Sequence, residues 1–146
     1  MKLADILNVK GRQVYTIHPD ATLEEAIQEL VQHNVGALVV CERDLEQGEV
    51  LCGIITERDI LRFAAAKKGS PAETKVTEIM TKDLITSEPS WSVEEAMEKM
   101  TRHRIRHLPV LSQGRLVGIV SIGDLVKAQL DRLAMENQFM RTYIQS

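Results

Sequence analysis

The 146-residue chain is expected to fold as an α+β protein, two β-α-β-β-α repeats packed sheet to sheet with pseudo-twofold symmetry, followed by an extended C-terminal helix. Three observations predict this. Thr22-Leu23-Glu24-Glu25-Ala26 returns as Ser92-Val93-Glu94-Glu95-Ala96, and His33 returns as His103, each 70 positions later. Gly53-Ile54-Ile55-Thr56-Glu57-Arg58-Asp59-Ile60 returns as Gly118-Ile119-Val120-Ser121-Ile122-Gly123-Asp124-Leu125, now 65 positions later, because one hairpin loop is shorter. Asp5-Ile6-Leu7 is answered by Glu78-Ile79-Met80, so each copy also carries a lead-in segment. Self-similarity of this length marks a repeated supersecondary unit. In chain order the division is 1–70 for the first repeat with its lead-in, 71–130 for the second with its lead-in, and 131–146 for a C-terminal helical extension.

Each repeat opens with a short extended segment, Val14 to Ile17 or Leu84 to Thr86, closed by Pro19 or Pro89. A helix follows. Thr22 and Ser92 are N-cap types, and Glu25 and Glu95 three residues on complete the pattern of a capping box, in which each side chain satisfies a backbone donor of the other residue. Leu23, Ala26, Ile27, Leu30 and Val31 fall at helical spacing, as do Val93, Ala96, Met97 and Met100, so one apolar face of each helix is expected on a sheet. The apolar runs Ala37 to Cys41 and Val50 to Ile55 read as one hairpin, and Leu108 to Leu111 with Leu116 to Val120 as the other. The second turns at Ser112-Gln113-Gly114, whereas the first carries about five more residues through Asp44 to Gly48. Pro109 lies inside a strand run, a place it can hold only at an edge or a bulge, where its missing N–H goes unneeded. A last helix closes each repeat, from Thr56 to about Lys67 and from Ser121 onward, and Gly69-Ser70-Pro71 begins the connection.

Beyond the second repeat, Val126, Leu130, Leu133, Asn137, Met140 and Ile144 follow alternating spacings of four and three, a heptad seam. Ala128, Met135, Phe139 and Tyr143 form a second stripe. Two readings stand, docking of the helix on its own domain or contact with another subunit, with Asn137 as a register-setting polar residue in the second.

A chain of this length with 44% hydrophobic residues buries roughly two-thirds of its unfolded surface without a disulfide or metal staple. It carries neither a signal-peptide pattern near Met1 nor an apolar run approaching a membrane span, so the expectation is a soluble, cytoplasmic protein with no membrane contact. A net charge of −3 and 3% aromatic residues give neither the basic footprint nor the stacking platform of a nucleic-acid binder. Cys41 and Cys52 flank the first hairpin and face each other across it in the simplest register. They read as reduced, buried residues or as a redox pair, and the CxxC spacing of zinc and redox sites is absent. The histidines lack zincin spacing and neither cysteine has an evident base, so no catalytic or metal-binding residue is assigned.

The Thr56-x-x-Asp59 and Ser121-x-x-Asp124 pairs stand where a strand ends and a helix begins, a place that points free N–H groups and the positive end of a helix dipole outward. Such pairs are equally capping boxes. Both use Asp in place of Glu, and its shorter side chain is expected to reach the cap N–H less easily and to stay freer for a ligand diol. Arg106 and His107 follow the end of a helix and enter a strand, which suits a phosphate role, while Arg102 and Arg104 suit compensation of the helix C-terminus. Gly36-Ala37 takes the place of Arg106-His107 in the first repeat, so two equivalent sites are not expected. Arg58, matched by Gly123, offers a cation there instead.

Gly53-Ile54-Ile55-Thr56-Glu57-Arg58-Asp59, Arg106-His107-Leu108-Pro109-Val110 and Gly118-Ile119-Val120-Ser121-Ile122-Gly123-Asp124 resemble the signature of a tandem pair of cystathionine-β-synthase (CBS) domains, a Bateman module, over roughly residues 2–127. The resemblance implies a non-catalytic regulatory module that binds an adenosine-containing nucleotide between its repeats: AMP, ADP, ATP or NAD(H), with no covalent cofactor. It implies ribose contacts from Asp59 and Asp124 and phosphate contacts from Thr56, Ser121, Arg106 and His107. Arg58 joins the phosphate group as the compensating cation of the first repeat. A homodimer is expected, with an unidentified protein target that receives an energy or redox signal. The rival from another class is a ligand-free structural oligomerisation protein whose aspartates only cap helices, and an enzyme ranks third.

Overall fold

The computed structural model describes residues 1–44 and 48–145. These residues fall into two compact units, one spanning Gln13–Leu84 and one joining Met1–Arg12 to the chain from Ile85 onward. The longer turn expected through Asp44 to Gly48 has residues 45–47 outside the described residues.

In the first of these units, strand β1 (Thr16–Ile17) leads to helix α2 (Leu23–His33), then strands β2 (Ala37–Asp44) and β3 (Gly48–Thr56), helix α3 (Glu57–Ala66), a 3-10 turn at Pro71–Glu73 and the short helix α4 (Val76–Ile79). The sheet order is β1-β2-β3, with β1 parallel to β2 and β2 antiparallel to β3. Thr22 Oγ1 accepts from the Glu25 N–H at 3.1 Å, and Asn34 closes α2 in the left-handed region. Leu23, Ala26 and Leu30 line the buried face of that helix against Leu38, Val40, Ile55 and Val76. Full burial of each such aliphatic side chain contributes about 1.5 to 3 kcal/mol. Val31, expected on the same face, is 76% exposed, because one residue past Leu30 advances the helix by about 100° and carries it off the sheet.

The other unit contains α1 (Leu3–Lys10), α5 (Val93–His103), strands β4 (His107–Ser112) and β5 (Arg115–Ser121), and α6 (Ile122–Gln145). Leu3, Ile6 and Leu7 of α1 join Val93, Ala96, Met100, Leu108, Val110, Val120 and Leu125 in one core. The compact units therefore depart from the chain-order division: each lead-in segment packs on the core of the other repeat, and the chain beyond 130 belongs to the same unit as the second repeat. Two glycines admit the exchange. A Cβ on Gly118 would lie 2.7 Å from Leu7 Cδ2, and one on Gly53 would lie 2.7 Å from the Thr81 carbonyl oxygen. Thr81 forms an antiparallel bridge with Ile54, so the second contact is backbone against backbone. The same lead-ins bridge the helix starts, Lys75 with Thr22 and Lys2 with Ser92.

Both hairpins shift register at the same place, between Val40 and Cys41 and between Val110 and Leu111. The shift pairs Cys41 with Leu51 and leaves Cys52 as the extra bulge residue, so the cysteines do not face each other as register partners. Both are free. Pro109 sits beside the second bulge and explains why the first sheet has a third strand and the second does not. In the first unit the Val39 N–H donates to the Tyr15 carbonyl at 3.1 Å, a bond that proline at the matching position cannot make. The extended segment expected at Leu84 to Thr86 accordingly forms no strand; the pairing is a single parallel bridge one residue later, Ser87 with Val110, and the sheet of that unit has two strands.

Helix α6 runs unbroken across the expected boundary between the second repeat, ending at 130, and the extension starting at 131. Its first turns are anchored by the fully buried Leu125 and by Ala128 against the core. Beyond them Leu130, Leu133, Met135, Phe139, Met140, Tyr143 and Ile144 are all exposed. Docking of the seam back onto its own unit is thus not what the fold adopts.

Candidate ligand-binding sites at the strand-to-helix junctions

Strand β3 ends at Thr56 and α3 begins at Glu57, whose N–H donates to the Gly36 carbonyl at 3.1 Å. The Thr56 N–H and Oγ1 donate to Asp59 Oδ2 at 3.0 and 3.1 Å, and the Asp59 N–H donates back to Thr56 Oγ1 at 3.2 Å. Thr81 Oγ1 donates to Asp59 Oδ1 at 3.2 Å. Asp59 is 8% exposed, so this reciprocal bonding is what makes burial of its carboxylate tolerable.

At the second junction the Ser121 N–H donates to Asp124 Oδ2 at 2.8 Å, and the Asp124 N–H donates to Ser121 Oγ at 3.1 Å. Lys10, at the end of α1, places its ammonium 2.6 Å from Asp124 Oδ2 and 2.7 Å from the Ile119 carbonyl. Burial by itself raises the Asp124 pKa. The hydrogen bonds from Lys10 and Ser121, with the lysine charge, outweigh it and hold the carboxyl below its ordinary value of 3.8.

The reach of aspartate is therefore corrected. Both aspartates close complete capping boxes, whereas at Thr22 and Ser92 the described hydrogen bonds include only the half in which the hydroxyl accepts from Glu25 or Glu95. The exposed Glu25 and Glu95 stay in water, while the bridges of Thr22 and Ser92 to the lead-in segments run through the N–H groups of their neighbours Leu23 and Val93. What the aspartates retain is capacity at the second oxygen. Asp124 Oδ1 takes no hydrogen bond among the described residues, and Asp59 Oδ1 takes mainly that of Thr81, against about two lone pairs on each carboxylate oxygen.

Arg106 and His107 do meet the second junction: the Arg106 carbonyl accepts from the Ile122 N–H at 2.8 Å, and His107 is the register partner of Ser121. Gly36 and Ala37 hold the equivalent places beside Glu57 and Thr56. The Arg106 side chain is exposed and His107 is half-buried. Arg58 stands exposed on the first turn of α3, and Gly123 holds its place in α6. Each unit thus collects its own Thr/Ser, Asp and flanking residues at one helix N-terminus.

Thr81 and Lys10 were not legible as site residues, because they lie 22 and 114 positions from the aspartates they bind. No local pattern announces either. Away from the junctions, His33 stacks on Tyr15 with ring centroids 3.9 Å apart and pairs with Glu29 at 2.9 Å, which accounts for it structurally. Arg102 pairs with Glu98 at 2.9 Å, and Arg104 is the left-handed C-cap of α5. Burial, then the carboxylate of Glu49 and the neighbouring Cys52, push the Cys41 thiol up to about 11, so it is not a nucleophile at neutral pH. Among the described residues no cluster of metal-ligating side chains occurs, and no helix is long and apolar enough to cross a membrane.

Comparison with known proteins agrees with this architecture. The CBS-domain family profile matches twice, at residues 4–66 and 76–131. The CBS domain-containing protein YhcV of Bacillus subtilis is 40% identical over 128 residues, which cover 88% of this chain and 87% of that protein. A putative signal-transduction protein with CBS domains from Burkholderia ambifaria superposes with a TM-score of 0.83 at 40% identity, over 90% of this chain and 95% of that one. The CBS domain pair of protein MJ0100, solved in complex with methylthioadenosine and S-adenosyl-L-methionine, has a TM-score of 0.75 at 29% identity, over 90% of this chain and 98% of that one. With both repeats matched and the fold shared, the chain belongs to the CBS-domain family as a CBS domain pair.

Proposed function

We propose that this domain pair is a non-catalytic regulatory module that binds an adenosine-containing nucleotide at its strand-to-helix junctions and passes an energy or redox signal to a protein target. The observation that carries the reading is the repeated constellation: a helix N-terminus, a Thr or Ser, and an aspartate with spare acceptor capacity, once in each unit. Asp59 and Asp124 would accept the hydroxyls of a ribose. Thr56 and Ser121 would face phosphate at the positive ends of α3 and α6, aided by Arg58 at one junction and by Arg106 and His107 at the other. The adenosine ligands of MJ0100 support the nucleoside part. The cations favour a phosphorylated ligand, AMP, ADP, ATP or NAD(H), over S-adenosylmethionine, since a charge pair at about 4 Å in an effective dielectric near 20 is worth about 4 kcal/mol before desolvation. The junctions differ in their cations, so unequal affinities are expected.

The experiment is a melting screen against AMP, ADP, ATP, NADH and S-adenosylmethionine, followed by calorimetry. Saturation at about 100 times the dissociation constant stabilises the protein by about 2.7 kcal/mol, a shift of about 5 to 10 °C. Calorimetry should then resolve unequal sites or one site. A flat response to every nucleotide favours the second reading, a ligand-free interaction protein, which the filled capping boxes and the Lys10–Asp124 ion pair make concrete. In either case the molecule is proposed to work as a homodimer.

A further inference from the structure

The exposed part of α6 is a surface built for a second copy of this chain, and we infer that two α6 helices pair in parallel and in register along the seam Val126, Leu130, Leu133, Asn137, Met140 and Ile144. The inference does not depend on the nucleotide reading. Leu130 is 60% exposed and Ile144 76%, yet the helix continues for about four and a half turns beyond its last core contact near Ala128. An isolated helix of that length is marginal in water. Here the costly first turns are already held by Leu125, so pairing only has to extend a helix that exists.

The flanking charges choose the orientation. With Leu130, Asn137 and Ile144 at the first core position of each heptad and Val126, Leu133 and Met140 at the fourth, Glu136 and Arg141 fall on the flanking positions beside the seam. In a parallel, in-register pair, Glu136 of each helix meets Arg141 of the other, an opposite-charge contact made twice by symmetry. The antiparallel arrangement of greatest overlap sets Glu136 against Glu136 and Lys127 against Arg141, like charges throughout. It also buries the Asn137 amide against Leu133, whereas in the parallel pair Asn137 meets Asn137 and the two amides satisfy each other. Among the described residues Glu136 pairs with Arg132 through Oε1, at 3.3 Å and half exposed, which leaves Oε2 for the partner helix.

Two measurements on the full-length chain, in a Cys41→Ser/Cys52→Ser background without nucleotide, test this. Ile144→Cys, on the seam, should cross-link into a covalent dimer under mild oxidation, while Thr142→Cys, on the outer face, should remain monomeric on a non-reducing gel. Glu136→Arg should raise the dimer dissociation constant roughly tenfold by light scattering at low salt, and Glu136→Arg/Arg141→Glu should restore it, because opposite charges again meet across the parallel pair. These positions are exposed, and an unchanged near-ultraviolet circular dichroism spectrum confirms that each variant is folded. A monomer at tens of micromolar, a hexamer or other higher assembly, a dimer in which Ile144→Cys fails to cross-link or Thr142→Cys does so equally, or a double exchange that fails to rescue would each overturn the inference.

Discussion

Protonating Asp124 would dissolve the ion pair that ties α1 to the start of α6, and the direction of its pKa sets when that happens. A carboxyl held below its ordinary value of 3.8 contributes its stabilisation fully above that pH and loses it as the pH falls through the lowered folded value. The difference in melting temperature between wild type and Asp124→Asn should therefore be constant from neutral pH to about 5 and shrink below about 4. The filled caps also change what an Asp→Asn variant means. From the sequence alone, a ligand role for Asp59 and Asp124 implies little loss of ligand-free stability. In the structure each carboxylate caps its helix as well, so both variants should lose about 1 kcal/mol without ligand. The discriminating readout is the nucleotide-induced shift, which should collapse at the substituted junction and which the purely structural reading leaves intact. Cys41, with its thiol pushed up to about 11, should react with iodoacetamide at pH 7.5 far more slowly than free cysteine.

Among the elements, the exchanged lead-ins carry the sharpest consequence. Gly53 and Gly118 are equivalent in the repeat, but what a methyl group meets differs: at Gly53 the Thr81 carbonyl oxygen of a bridged backbone, at Gly118 the end of the Leu7 side chain. Backbone cannot step aside as a leucine rotamer can. Gly53→Ala should cost about 2 to 3 kcal/mol and Gly118→Ala about 1, a difference readable in urea denaturation. Helices and hairpins were legible because their signals are local: N-caps at Thr22, Ser92, Thr56 and Ser121, apolar spacing in α2 and α5, and turn residues at Gln113-Gly114. Pro109 announced an irregularity, and the irregularity found is the bulge beside it together with the single bridge in place of a neighbouring strand. The register shift that separates Cys41 from Cys52 had no local signal, since it follows from how the whole ladder closes.

At the scale of the whole molecule, cutting the chain after Lys127 should remove the exposed seam of α6 while leaving Leu125 in its core. Light scattering should then show a weakened dimer, while the fold and any nucleotide-induced melting shift persist. Retention of full dimer strength would move the interface elsewhere. The internal repeat, the α+β class, the family and the long last helix were written in the amino-acid sequence, because each depends on patterns whose period is shorter than a helix or repeats within the chain. The tertiary structure alone decided that each lead-in serves the other repeat's core, that Lys10 meets Asp124 and Thr81 meets Asp59, and that the α6 seam faces solvent. Those contacts join residues far apart in the chain, where loop closure and close packing select the partner and no local preference of the residues records the choice.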